Sequence, residues 1–235
     1  MAAGTSGIPT SPIPAAAARL SIAAATTFIA LLAVSHLAKP ELDPSWRVIS
    51  EYAIGSHGWV MALAFFSLAV ACAALVVAIR SDVNTITGYV GLAFLLASAA
   101  GLVLAAVFTT DPITAGAAEA TTSGSLHTVG ASLGTGIPLA AVLLGATLAR
   151  TRTWSSARRA LIGAAAFAWL GFLVFSGSMV VMLPQNDGAL GPEVLIGWPN
   201  RFLMLAYSAW LVTVATLALQ RRRTSSREGR SYATS

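Results

Sequence analysis

The chain has 235 residues, of which 56% are hydrophobic and only 10% charged, and its formal net charge is +5. A soluble domain carries about 25% charged residues, and a deficit of this size excludes an ordinary water-soluble globule. Runs free of Asp, Glu, Lys and Arg span roughly 20–38, 52–79, 83–110, 120–149, 160–186 and 202–220. Each holds the ~20 apolar residues that a helix needs to cross a bilayer. The runs lack the short alternating pattern of a β-barrel, the other way of satisfying a backbone in lipid. The expectation is an all-α, polytopic integral membrane protein with six transmembrane helices.

In chain order, residues 1–18 are rich in Pro, Ser and Ala and are expected to be unstructured. The six-helix domain then covers 19–220, and 221–235 form a basic tail. The first apolar stretch ends at "AVSHLAKP". That is a poor small-x-small cleavage site, so an uncleaved first helix is predicted. The segment "DPSWRVISEYAIG" reads as a short interfacial helix lying flat in the first outer loop. Asp43 or Ser45 would cap it, Gly55 would end it, and Trp46, Tyr52 and Trp59 would anchor it at the interface. Cys72, the single cysteine, falls inside the second run as a small apolar side chain. The fourth run opens "LHTVGASLGTGIP", where Gly130 and Gly134 make the G-x-x-x-G spacing that lets helices approach closely.

Eleven of the 14 basic residues fall on one side: Arg19, Arg80, and the arginines of "ARTRTWSSARR" and "QRRRTSSREGR". The other side carries Lys39, Arg47 and Arg201 with seven of the nine acids. Cytoplasmic loops collect Lys and Arg, so both termini are expected in the cytoplasm of a cell with a multi-pass plasma-membrane protein. The same rule, with anionic headgroups, accounts for the basic balance without nucleic acid. Arg outnumbers Lys thirteen to one, in keeping with a GC-rich bacterial genome.

All three histidines, His36, His57 and His127, sit at outer helix ends, on the same expected face as Ser50, Glu51, Asp111, Asp187, Glu193 and Arg201. The candidate outer-face cluster is Ser50, Glu51, His57, Asp111 and His127. Three imidazoles with an open position are one form of catalytic zinc, but no His-x-x-x-His or cysteine pair is present. No metal and no cofactor are therefore expected. The helix interiors carry no ionisable side chain at mid-depth, which argues against an ion-coupled carrier.

"ISEYAIGSHGWVM" before helix two, "DP" after helix three, "LHTVGA" opening helix four and "GWPNRFLMLAYSAWLV" in helix six carry a resemblance. Over roughly 20–220 the chain resembles the domain-of-unknown-function 998 (DUF 998) family of bacterial membrane proteins. It is also distantly similar to the eukaryotic FGF-receptor-activating-protein and DRAM-like families, which have an Ile-Ser-acid motif in the first outer loop. The resemblance implies a six- or seven-helix membrane protein and no established activity. It singles out Ser50, Glu51, Gly55, Trp59, Asp111 and His127. A Ser, Asp and His set at membrane ends is similar to that of the metal-dependent ceramidase-like hydrolases. Those carry a late His-x-x-x-His pair, whereas no histidine follows His127 here.

The leading expectation is a non-enzymatic membrane protein whose partners are the bilayer and a lipid headgroup or membrane protein held at the outer cluster. The alternatives are a membrane-embedded, metal-dependent lipid hydrolase and a passive small-solute pathway. They divide on whether Glu51, Asp111 and His127 meet within hydrogen-bonding distance, ~3 Å.

Overall fold

A backbone in lipid must bond to itself, and each apolar run does so as helix. The computed structural model describes residues 12–186 and 188–233. Its helices are α1 (Ile13–Ala38), α2 (Gly58–Ile79), α3 (Ile86–Val107), α4 (Thr122–Leu133), α5 (Gly136–Ala149), α6 (Arg158–Met182) and α7 (Gly197–Ala233). With α4 and α5 counted as one broken crossing, six segments are long and apolar enough to span a membrane. An even number of crossings puts the two ends of the bundle's chain on one side.

Helix α1 begins at Ile13, inside the stretch expected to be unstructured, with a proline in its first turn where the missing N–H costs no bond. Residues 1–11 of that stretch lie outside the described residues, as does Asp187. Thr85 caps α3 by accepting from Gly88 N–H at 3.1 Å, and Thr121 caps α4 by accepting from Gly124 N–H at 2.9 Å.

The helices follow one another around a ring. Helix α1 packs on α2 and α7, α2 on α3, α3 on α4 and α5, α5 on α6, and α6 on α7. Phe28, Met61, Leu68, Leu75, Leu95 and Leu144 fill the middle with almost no exposed surface, and Cys72 lies among them. Ser21 in α1 donates across to the Ala71 carbonyl of α2 at 2.9 Å. Helix α2 is the most enclosed span and α6 the least.

The fourth crossing breaks at residues 134–135, and the cause is Pro138. Proline has no N–H for the carbonyl four residues back, so Gly134 accepts from Ile137 N–H at 3.1 Å instead. The Leu133 carbonyl released by that shift lies 3.0 Å from the hydroxyl of Ser98 in α3, whose proton is shared with the Phe94 carbonyl at 2.9 Å. The two glycines of the expected G-x-x-x-G stripe therefore play different parts. Gly130 faces α3, where an added Cβ would stand 2.5 Å from the Gly101 carbonyl oxygen. Gly134 ends α4 at the break, and a Cβ there would meet only Ala131 of its own helix.

The two faces of the bundle are closed differently. On the basic face Arg221 pairs with Asp82, while Arg222 donates to the Ala78 carbonyl at 3.0 Å and the Ser81 hydroxyl at 3.2 Å. These two arginines, the first of the expected basic tail, tie α7 to the α2–α3 turn.

Candidate functional site

On the acidic face the first connection, 39–57, is not the flat helix that its spacing suggests. Asp43 Oδ1 accepts from Ser45 N–H at 2.8 Å, a local turn in place of a helix cap. Only Ile49–Ala53 are helical, as a tight 3-10 turn that buries Ile49, Glu51 and Tyr52. Glycine is required at Gly55, which has φ +71°, and His57 takes the left-handed region at φ +63° before α2.

The opening of α7, "GWPNR", grips this connection. Gly197 N–H donates to the Ser45 carbonyl at 2.9 Å, and Asn200 Oδ1 accepts from Ile49 N–H at 3.0 Å. A side chain at Gly197 would run into the Pro44 carbonyl, so the approach needs glycine. Arg201, 4% exposed, is the hub. Its Nη1 donates to the carbonyls of Arg47 at 2.7 Å and Gly197 at 2.9 Å. Its Nη2 donates to the Tyr52 hydroxyl at 3.0 Å, and its Nε donates to His36 Nε2 at 2.7 Å.

This geometry assigns the imidazole. A guanidinium only donates, so His36 Nε2 must be the bare nitrogen. Nδ1 then carries the proton and donates to the Leu32 carbonyl at 2.7 Å. His36 is a neutral acceptor whose ring lies 4.9 Å from that of Tyr52. Among the described residues Arg201 has no carboxylate within ion-pair distance. Its charge is met by oriented carbonyls, the hydroxyl and the faces of Tyr52 and Trp198, whose centroids lie 5.5 and 5.7 Å away. The Asp43 carboxyl is held below the usual carboxylate range, first by the Ser45 N–H and in smaller part by the field of Arg201.

The second connection, 108–121, is pinned at four points. His127 Nδ1 bonds the Phe108 carbonyl at 2.8 Å, and the Ser123 hydroxyl donates to the Thr109 carbonyl at 2.9 Å. Asp111 accepts from Thr121 N–H at 2.9 Å and from its hydroxyl at 2.7 Å. Glu51 reaches across from the first connection and accepts from Ile113 N–H at 3.1 Å. The same oxygen of Glu51 takes Arg47 Nη1 at 2.6 Å, while its Oε2 is buried without a hydrogen-bond partner.

The five candidates thus divide. Glu51, Asp111 and His127 do not bond one another; each holds the same loop by a different atom. Ser50 is half-buried and makes no side-chain hydrogen bond, and His57 is exposed at the start of α2. Among the described residues no three His, Cys, Asp or Glu side chains come close enough to hold a metal ion. Of the expected anchors, Trp59 is 67% exposed and Trp46 is half-buried beneath the Arg47 guanidinium at 4.0 Å. Tyr52, at 1% exposure, is no anchor; its hydroxyl serves Arg201 inside the protein.

The His36–Tyr52–Arg201 hub escaped the sequence reading as a unit, although one signal for it was present. Lys39, Arg47 and Arg201 are the three basic residues on the face that otherwise collects acids. Each turns out to be an internal donor: Lys39 to the Ile54 carbonyl, Arg47 to Glu51, and Arg201 to the hub. Basic residues that break the charge rule are held by folding, not by topology.

Residues 22–217 match the family described as protein of unknown function (DUF998). The chain belongs to that family. No curated protein and no solved structure matches it. All four stretches that carried the resemblance lie within the matched DUF998 region, and three of them meet: "ISEY" is gripped by "GWPNR", and Glu51 reaches the "DP" loop.

Asp111 gives this DUF998 cap a testable pH response. The Thr121 N–H and then its hydroxyl hold the carboxyl below the usual range. A lowered folded-state pKa contributes stability at neutral pH that is lost as pH falls through that pKa. Gly124 must be glycine because a Cβ there would displace the Asp111 carboxylate. Asp111→Ala and Gly124→Ala are therefore each expected to speed hydrogen exchange in residues 108–124 at pH 7, with the double variant no faster than either. Acidification should bring the wild type toward the Asp111→Ala rate. Additive effects in the double variant would refute the coupling.

Proposed function

We propose that this chain is a non-catalytic, multi-pass protein of a bacterial plasma membrane. Both termini lie in the cytoplasm, and its acidic face is a rigid recognition cap for a lipid headgroup or a membrane-protein partner. One observation carries the reading: four of the cap's polar side chains each bond the backbone of its own loops. Glu51, Asp111, His127 and Arg201 reach the backbone of Ile113, Thr121, Phe108 and Arg47. The Gly55–Ser56–His57 turn is exposed beside Trp59, as are Asp43 on the same connection and Glu119 and Glu193 on the others. The concentration of 11 of 14 basic residues on the opposite face supports the orientation.

A hydrolase would need a nucleophile or bound water aimed at one point with a base beside it, and the three candidate groups point at separate backbone atoms. A solute pathway would need a polar line through the bundle, where Phe28, Leu68, Leu75 and Leu95 pack instead.

A photo-activated cross-linker placed at His57 or Trp59 in living cells tests the proposal. A discrete lipid or protein adduct at those positions, absent when the probe sits at buried Met61, is the expected result. No adduct above the Met61 background would overturn it. Lipid turnover by purified protein that disappears in His127→Ala would replace it with the hydrolase.

A further inference from the structure

A groove lies far from the cap, at the basic end of the α5–α6 pair. It encloses about 640 Å³, within the size range of small-ligand sites. Arg150, closing α5, and Arg158, opening α6, stand at its mouth, while Gly145, Ile162, Ala165 and Trp169 line its length. The floor is shallow because Gly145 lets α6 approach: a Cβ there would lie 3.8 Å from Ala165 Cβ. The far end is shut by Trp169, whose indole N–H is fixed on the Pro138 carbonyl at 2.9 Å. The mouth is fixed as well, since the linking turn Arg152–Ala157 is anchored by fully buried Trp154.

Length and charge both name the occupant. Eleven positions separate Arg158 from Trp169, which in a helix is about 16 Å, half of the ~30 Å hydrocarbon core. The groove therefore runs from the headgroup level to the bilayer midplane, the depth of one leaflet. Its mouth is positive without compensation. Residues 120–186 contain no Asp or Glu, and neither arginine forms an ion pair among the described residues. Arg150 Nη1 only folds back, 3.3 Å from the Ala146 carbonyl. A first-turn arginine on α6 adds its charge to the positive end of the helix dipole.

We propose that this groove binds one anionic phospholipid of the basic-side leaflet. Its phosphate sits between Arg150 and Arg158 and one acyl chain lies along α5–α6 down to Trp169. The inference is independent of the cap on the opposite face.

The test compares lipid retained by the purified full chain, read by native mass spectrometry after exchange into mixed phosphatidylglycerol and phosphatidylcholine nanodiscs. Wild type should keep one phosphatidylglycerol in preference to phosphatidylcholine. Arg150→Gln with Arg158→Gln should lower that preference about 30-fold, the product of two arginine contacts at ~1 kcal/mol each. Ala166→Leu, which narrows the groove without touching charge, should lose the lipid as well. Arg152→Gln with Arg159→Gln, beside the mouth but outside the lining, should retain it. Equal loss in that control pair would mean diffuse surface charge and overturn the site, as would equal retention of phosphatidylcholine. Full competition by free glycerol phosphate would assign the arginines to a soluble phosphate and overturn the lipid. A dimer abolished by Ala166→Leu, with no lipid retained, would give the groove to a second copy of the chain.

Discussion

Arg201→Ala is expected to destabilise the protein by about 3–5 kcal/mol, from four buried hydrogen bonds of a charged donor at roughly 1 kcal/mol each. Four acceptors lose their donor at once: His36 Nε2, the Tyr52 hydroxyl and the carbonyls of Arg47 and Gly197. Each is enclosed by the first connection, so water does not simply replace the guanidinium. The thermal midpoint in detergent should fall by roughly 10 °C. Arg201→Lys should recover little, because an ammonium lacks the fork that reaches two carbonyls, a ring nitrogen and a hydroxyl together. His36→Gln supplies another acceptor toward Arg201 Nε and should be milder than His36→Phe, which leaves that donor facing a hydrocarbon. A midpoint for Arg201→Ala within a degree or two of wild type would show that the hub does not hold the cap.

The sequence made the crossings plain because lipid imposes a one-dimensional rule, about 20 apolar residues per span, and each run can be read without its neighbours. The cap is a different kind of object. His36 and Arg201 are 165 positions apart, and nothing local in either marks the other. Tyr52 shows the limit well: between Trp46 and Trp59 it has the spacing of an interface aromatic, and only the arrival of Arg201 makes it an internal group. Glu51, Asp111 and His127 were singled out by residue type. Their common target was invisible, because it is the backbone of residues 108–121 and backbone atoms have no sequence signature. The charge-rule exceptions offer the best remedy, since Lys39, Arg47 and Arg201 could have been read as donors held within the fold from their side of the charge pattern alone.

The pair Gly130 and Gly134 shows how far a spacing motif carries, and it yields the second large effect. Gly130→Ala is expected to cost about 2 kcal/mol, at the middle of the range for overpacking. Its Cβ would stand 2.5 Å from the Gly101 carbonyl and 3.0 Å from Ala105 N. Both are backbone atoms of α3, so no side chain can swing aside. Helix α4 must move instead, and His127, one turn away, then leaves the Phe108 carbonyl that it bonds at 2.8 Å. Faster exchange across residues 108–121 should therefore accompany the lower thermal midpoint, although Gly130 touches none of that loop. Gly134→Ala should cost less, because its φ of −59° is one that alanine adopts freely and its Cβ would press only on the Ala131 carbonyl of its own helix, at 2.9 Å, where the chain already breaks and can give. If packing alone explained the G-x-x-x-G spacing, the two substitutions would cost alike, and equal midpoints would refute the division of labour. A large loss at Gly130 with an undisturbed loop would uphold the α3–α4 contact and break its link to the cap.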